Sequence, residues 1–261
     1  MQETKPSLDV KTLFSVTLLA GEILLSSGAE IYRVEDTIHR LLRLSGIEAA
    51  ESFVTPTCII MTLRDPDSNT LTTLRRVTDR EHNLARVARV NKVARALCDN
   101  KISLEEASGT LEEIKQSKGY PEWAMMLLLF FLPVCFYMLF GGQDITAGLI
   151  CLVTGTWLAL IRKVMIRTSL VRFFHDLIRA AGVAFLASIM TSLFSADSNT
   201  NLIIISSIMP LVPGVSITTA IRDLLHGDYQ SGTARGVEAF IIATAVAVGV
   251  GAGLFLFRMI P

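Results

Sequence analysis

The 261-residue sequence lacks any excess of charge, 24 Lys and Arg standing against 24 Asp and Glu. That balance argues against a nucleic-acid partner, which calls for a basic surface. Its start, "MQETKPSLDVKTLF", has no basic stretch leading into an apolar run and a small-residue cleavage site, so no secretory signal is visible. The amino-terminal region is therefore expected to stay in the cytoplasm. Cysteine is scarce: Cys58, Cys98, Cys135 and Cys151 show neither metal-ligand nor redox-pair spacing, which predicts reduced thiols and no disulfide framework. The patterns GxxxxGK[ST], HExxH and GxSxG are all missing, so nothing marks a nucleotide, zinc or serine-hydrolase site, and no catalytic residue, cofactor or metal is expected. No internal repeat stands out.

What is present is apolar and unevenly charged. Hydrophobic residues make up 51% and the mean hydropathy is +0.50, too high for an ordinary soluble domain. Residues 1–121 hold 16 of the 24 basic and 17 of the 24 acidic residues, leaving eight and seven for residues 122–261. This predicts a mainly α membrane protein: a cytoplasmic α+β domain over 1–121, then a bundle of about five transmembrane helices at roughly 20 residues each. The apolar runs fall at about 122–140, 144–161, 172–194, 201–221 and 233–257. The link between the second and third carries Arg162, Lys163, Arg167 and Arg172, whereas "GGQD" and "SADSNTN" carry no basic residue. By the positive-inside rule the basic link is cytoplasmic, which places the amino-terminal domain inside and the carboxyl terminus outside.

Within 1–121, helical periodicity over 8–27 and 30–45 with Gly28 between predicts a helical hairpin. The β-branched stretches "AESFVTPTCIIMTL" and "NTLTTLRRV" flank the turn cluster "RDPDSN" and predict two or three antiparallel strands. Helix returns over 81–99 and 103–118, the latter opened by a Ser103 and Glu106 capping box.

Four places could carry chemistry. In "IMPLVPGVS", Pro210 and Pro213 each remove a backbone N–H and clash one turn back, so the fourth run should break. Broken backbone at membrane depth is tolerated only where protein covers it or water reaches it. A half-helix starting near Gly214 would aim its positive end at the midplane, where a carboxylate gains most. Ser206, Ser216, Thr218 and Thr219 add hydroxyls, and the competing reading is a structural kink with those hydroxyls bonded to their own helix. In the third run, Arg172, His175, Asp176 and Arg179 share one helix face. Without them only "AAGVAFLASIMTSLF" remains, roughly 22 Å of helix against a core of about 30 Å, which draws Asp176 or Arg179 into the membrane as a pair beside a substrate path. Simple snorkelling of arginine is the alternative. In the fifth run Glu238 is a candidate for proton or substrate handling, or an interfacial partner of Arg235; Asp176 is the other proton-coupling candidate. Gly249 and Gly253 have a spacing suited to close helix packing. Finally, Glu30, Arg33, Glu35, Asp36 and His39 crowd two turns and read mostly as a solvated face with local ion pairs.

Taken together, "GAEIYRVEDTIHRL", "ESFVTPTCIIMTL", "HNLARVARV", "ISLEEA", "YPEW" and "PLVPGVSITTAIRDLLHGDYQSGTARGVEA" resemble the threonine/serine exporter family along nearly the whole chain. The most specific parts are Gly28-Ala29-Glu30 with Val34 and Glu35, and Pro213-Gly214 followed by Asp223, Gly227, Gly232 and Arg235. The resemblance implies a secondary, proton-coupled exporter of small hydrophilic metabolites. It also implies a split form, since longer members carry further spans: a small multi-span membrane partner would supply them within a higher oligomer, and the branch is linked to succinate as well as amino acids. The substrate class is thus threonine/serine or a dicarboxylate. A membrane-anchored sensor or enzyme, active through the amino-terminal domain, is the rival expectation, although an anchor needs only one span.

Overall fold

A computed structural model describes residues 9–47, 50–64, 70–78, 81–117, 119–165, 171–194 and 199–260. The body of the "RDPDSN" turn, Arg167 in the basic link and most of the "SADSNTN" link fall outside the described residues. The chain folds as two compact units, Met1–Gly119 with Thr218–Arg235, and Tyr120–Ile217 with Gly236–Pro261.

The first unit opens with α1 (Val10–Ser26) and α2 (Ile31–Leu42), followed by β1 (Ala50–Thr55), β2 (Cys58–Arg64) and β3 (Thr70–Arg76), then α3 (Leu84–Cys98) and α4 (Leu104–Gln116). Asp9 caps α1 through the Lys11 amide, and Ser103 and Glu106 form the expected capping box on α4. The three strands pair antiparallel in the order β1-β2-β3, with Phe53, Ile60 and Leu74 in register across the sheet. Alternation then sends Val54, Ile59, Met61 and Leu63 inward to meet α1 and α2. The core is built of large side chains: Leu13, Ile23, Leu24, Ile31, Ile38, Leu42, Met61 and Leu111 are all but sealed from solvent. At about 1.5–3 kcal/mol for each such side chain, this burial is the main term holding the unit together.

The second unit contains α5 (Glu122–Leu139), α6 (Ile145–Met165), α7 (Arg172–Leu193) and α8 (Thr200–Ile208), then a 3-10 turn, Met209–Leu211. Two more helices follow: α9 (Gly214–Leu225), which begins in the second unit and ends in the first, and α10 (Tyr229–Arg258), which does the reverse. Asp144 and Asn199 cap α6 and α8 by accepting from amides of the first turn. Among the described residues four helices are long and apolar enough to cross a membrane, α5, α6, α7 and α10, and the pair Thr200–Leu211 and Gly214–Leu225 makes a fifth span if counted as one.

Packing in this unit depends on small residues. A Cβ added at Gly155 would lie 2.3 Å from the Phe130 carbonyl oxygen, so α6 meets the backbone of α5. Gly249 and Gly253 do the same for α10 on α7, where an added Cβ would sit 2.4 Å from the Leu177 and 2.2 Å from the Ala181 carbonyl oxygen.

Candidate functional site

The break in the fourth span is real and sharp: its two halves meet at 58°. Helix α8 ends at Ile208, before Pro210, because a proline there cannot donate to the preceding turn. The 3-10 turn follows, Val212 is extended, and Pro213 accepts from Ile217 as α9 begins. Ser206 is fully buried and donates to the Leu202 carbonyl, as the kink reading expected of such hydroxyls. Its neighbour Ser207, not singled out from sequence, hydrogen-bonds Thr154 of α6 at 2.7 Å, both side chains fully buried. The structure thus places a buried hydroxyl pair one turn before Pro210. At Gly214 an added Cβ would meet nothing within 4 Å, so this backbone faces open space rather than a packed neighbour.

On α7, Asp176 is buried and Arg179 mostly so, and they pair at 3.3 Å. The Arg179 Nε is buried without a hydrogen-bond acceptor, while its carbonyl accepts from the Trp157 indole N–H at 3.1 Å. Glu238 is more exposed and faces Arg172 of α7 at 3.5 Å, a partner on another helix that its own sequence neighbourhood did not suggest.

In the first unit the expected solvated face is only partly one. Arg33, Asp36, His39 and Arg40 are exposed, and Arg40 pairs with Asp36. Glu30, by contrast, is buried between Arg33, at 2.7 Å, and Arg222 of α9. Glu35 is half-buried and accepts from the Val54 amide of β1 at 2.9 Å; burial pushes its carboxyl above the ordinary range, against that hydrogen bond.

The first unit also holds two glycine turns. After α1, Gly28 adopts φ +79° while the amides of Gly28 and Ala29 return to Leu25 and Leu24. After α9, Gly227 adopts φ +90° while the amides of Gly227 and Asp228 return to Leu224 and Asp223. Both are Schellman caps, which need the left-handed conformation glycine takes without strain. Arg235 joins them. Its Nη2 donates to the Ala29 carbonyl at 2.9 Å, and its Nε lies 3.3 Å from the Asp223 carboxylate. Tyr32 and His226 stack beside them, ring centroids 4.2 Å apart.

This cluster escaped sequence reasoning as a site because helical spacing reports only neighbours one or two turns away, whereas Arg235 and Ala29 are 206 positions apart. The usable signal was the motif itself, in which Glu30, Asp223, Gly227 and Arg235 already stood out. Among the described residues no group of three His, Cys, Asp or Glu side chains could hold a metal ion.

Comparison with known proteins agrees with a transport role. Residues 15–257 match the family described as "Putative threonine/serine exporter". A "Probable succinate transporter subunit YjjP" of Escherichia coli strain K12 is 28% identical over 244 residues, covering 92% of each chain. The protein of that name in Klebsiella aerogenes is 26% identical over 228 residues, 87% of each chain. A "Probable threonine/serine exporter" of Mycobacterium tuberculosis is 21% identical over 247 residues, 93% of this chain but 46% of that protein. No solved structure matches the chain.

Proposed function

The chain belongs to the threonine/serine exporter family, and from that premise we propose that it is one subunit of a secondary exporter carrying small carboxylate metabolites, threonine and serine or a dicarboxylate such as succinate, across the inner membrane. The observation that carries this reading is the α8–α9 break, where Pro210 and Pro213 end one half-helix and Gly214 starts another with open space beside its backbone. A helix start attracts anions by roughly 0.3–2 kcal/mol, depending on burial. Ser206, Ser216 and the Ser207–Thr154 pair supply hydroxyl oxygens to the same region. Asp176 and Arg179 line the path, and the buried Arg179 Nε is a donor suited to a substrate carboxylate.

In this reading the amino-terminal unit faces the cytoplasm and the carboxyl terminus lies outside. Relatives named as transporter subunits support a partner, which here is a small multi-span membrane protein completing the transporter within a higher oligomer. Export is driven by the proton gradient, with Asp176 and Glu238, each beside an arginine, as coupling candidates in the second unit. A sensor or enzyme on a membrane anchor would leave the broken span and the buried ion pair without purpose.

The test is efflux of labelled threonine, serine and succinate from proteoliposomes holding the chain alone or with its partner, with and without a pH gradient. Gradient-dependent efflux of at least one of these from the assembled pair only is the expected result. No efflux of any of the three from the pair would overturn the transport reading, and full efflux from the single chain would overturn the subunit reading.

A further inference from the structure

Among the described residues, Asp223 is the one charged side chain of the first unit's buried cluster that is fully sealed from solvent, yet neither carboxylate oxygen receives a well-formed hydrogen bond. Arg235 of α10 stands 3.3 Å away, the Ile31 amide at the start of α2 approaches it, and His226 and Asp228 in the α9–α10 turn act on it through charge. The adjoining carboxylate, Glu30, also has one buried oxygen, Oε2, without a well-formed hydrogen bond, but its Oε1 accepts from Arg222 and it is flanked by two guanidiniums, those of Arg33 and Arg222. Asp223 shares its guanidinium, that of Arg235, with the Ala29 carbonyl. A buried carboxylate is costly unless it is both paired and hydrogen-bonded, and the alternative to that cost is to take up a proton. Of the two buried acids, proton uptake therefore falls on Asp223.

We propose that Asp223 is a protonation site coupling proton movement to the transport cycle, with Arg235 as its counter-ion. The proposal rests on the transport reading above. A proton taken up on the carboxylate leaves Asp223 neutral and weakens its hold on Arg235. Three guanidiniums, of Arg33, Arg222 and Arg235, then stand in one cluster with the single negative charge of Glu30. That imbalance loosens the hold of the α9–α10 elbow on the α1–α2 turn.

The elbow responds as one piece. Its Schellman cap fixes the turn, and Gly232 of α10 packs so closely on α9 that an added Cβ would lie 2.5 Å from the Leu224 side chain and 2.9 Å from the Ala220 carbonyl oxygen. Helix α9 runs unbroken from Asp223 to Gly214, about 14 Å along the axis at 1.5 Å per residue. A shift of the elbow is therefore a shift of the half-helix start proposed to bind substrate. Protonation at one end of α9 changes the site at the other.

The experiment uses the assembled transporter in proteoliposomes with labelled threonine, serine and succinate as probes, and compares substrate exchange at equal pH with net flux driven by a pH gradient. Asp223→Asn keeps the shape and removes the titration. It is expected to retain exchange, make exchange independent of pH, and lose gradient-driven flux at least tenfold. Wild-type gradient-driven flux in that variant overturns the proposal. So does joint loss of exchange and net flux in a properly assembled variant, which would make the pair a structural staple. Should Asp223→Asn fail to assemble, Asp223→Glu decides: a displaced pH midpoint for flux supports the site, and an unchanged midpoint overturns it. Absence of both exchange and net flux in the unaltered transporter would instead sink the transport reading, and this proposal with it.

Discussion

The two units differ in how much of their close packing falls to small residues and in where their large apolar side chains lie. In the first, leucine, isoleucine and methionine fill the interior and charge covers the outside. In the second, small residues such as Ala147, Cys151, Ala184 and Ala187 make up half of the buried cluster beside Tyr137, Ile150, Ile203 and Ile204, while Leu128, Phe131, Leu149, Phe240, Val248 and Phe255 are exposed. The difference shows what each unit takes as solvent. Water drives large apolar groups inward in the first; lipid gives no such drive, so the second holds together by close backbone approach and a few buried polar contacts.

The contrast breaks hardest at the helix contacts of the second unit. Gly253→Leu should cost at least about 3 kcal/mol, the upper end for overpacking, because its Cβ would meet the backbone of α7 at 2.2 Å and backbone cannot yield as a side chain does. Gly251→Leu, two residues earlier with nothing within 4 Å, should leave the melting temperature in detergent unchanged. Equal melting of both variants would show that α10 does not pack on α7 as described.

Next in size is the buried pair of α7. Asp176→Ala leaves Arg179 uncompensated and should destabilise by about 3–5 kcal/mol, whereas the double change with Arg179→Leu should recover much of that. Additive losses in a double-mutant cycle would mean that the two side chains do not interact.

The smallest effect belongs to the first unit, where Glu35 sharpens the comparison as a half-buried acid near water. Its folded carboxyl binds a proton more tightly than the ordinary value of 4.5. Its contribution to stability is therefore full below pH 4.5 and is lost as pH rises through the folded value. Glu35→Gln should melt increasingly above wild type as pH is raised from 4 to 7, the gain levelling once Glu35 is ionised. A pH-independent difference would show that burial does not hold the proton there.

The elements were readable where the signal is local. The helical hairpin around Gly28, the capping box of Ser103 and Glu106, the strand pairs and the apolar runs all follow from period, caps and turn residues, which depend on near neighbours. The break at Pro210 was equally legible, since proline acts on its own turn. What escaped was long-range. Glu30 and Glu35 look like surface acids in a charged stretch, and only the arrival of Arg222 and the pairing of Val54 bury them. Likewise Arg235, one turn before Glu238, invited a local reading, and nothing in its neighbourhood signalled its reach to Asp223 and Ala29. The Ser207–Thr154 bond links positions 53 apart, and no spacing rule reaches that far.

If the broken span binds substrate, Gly214→Leu in the assembled transporter reveals it with the least ambiguity. The new side chain meets no protein atom within 4 Å of its Cβ, so helix packing gives no reason for the variant to misassemble. Efflux of the labelled substrate is expected to fall at least tenfold from wild type while assembly and melting temperature stay unchanged. Wild-type efflux, with Pro210→Ala and Pro213→Ala added to restore the helix, would contradict substrate binding at the break and leave it as a kink alone.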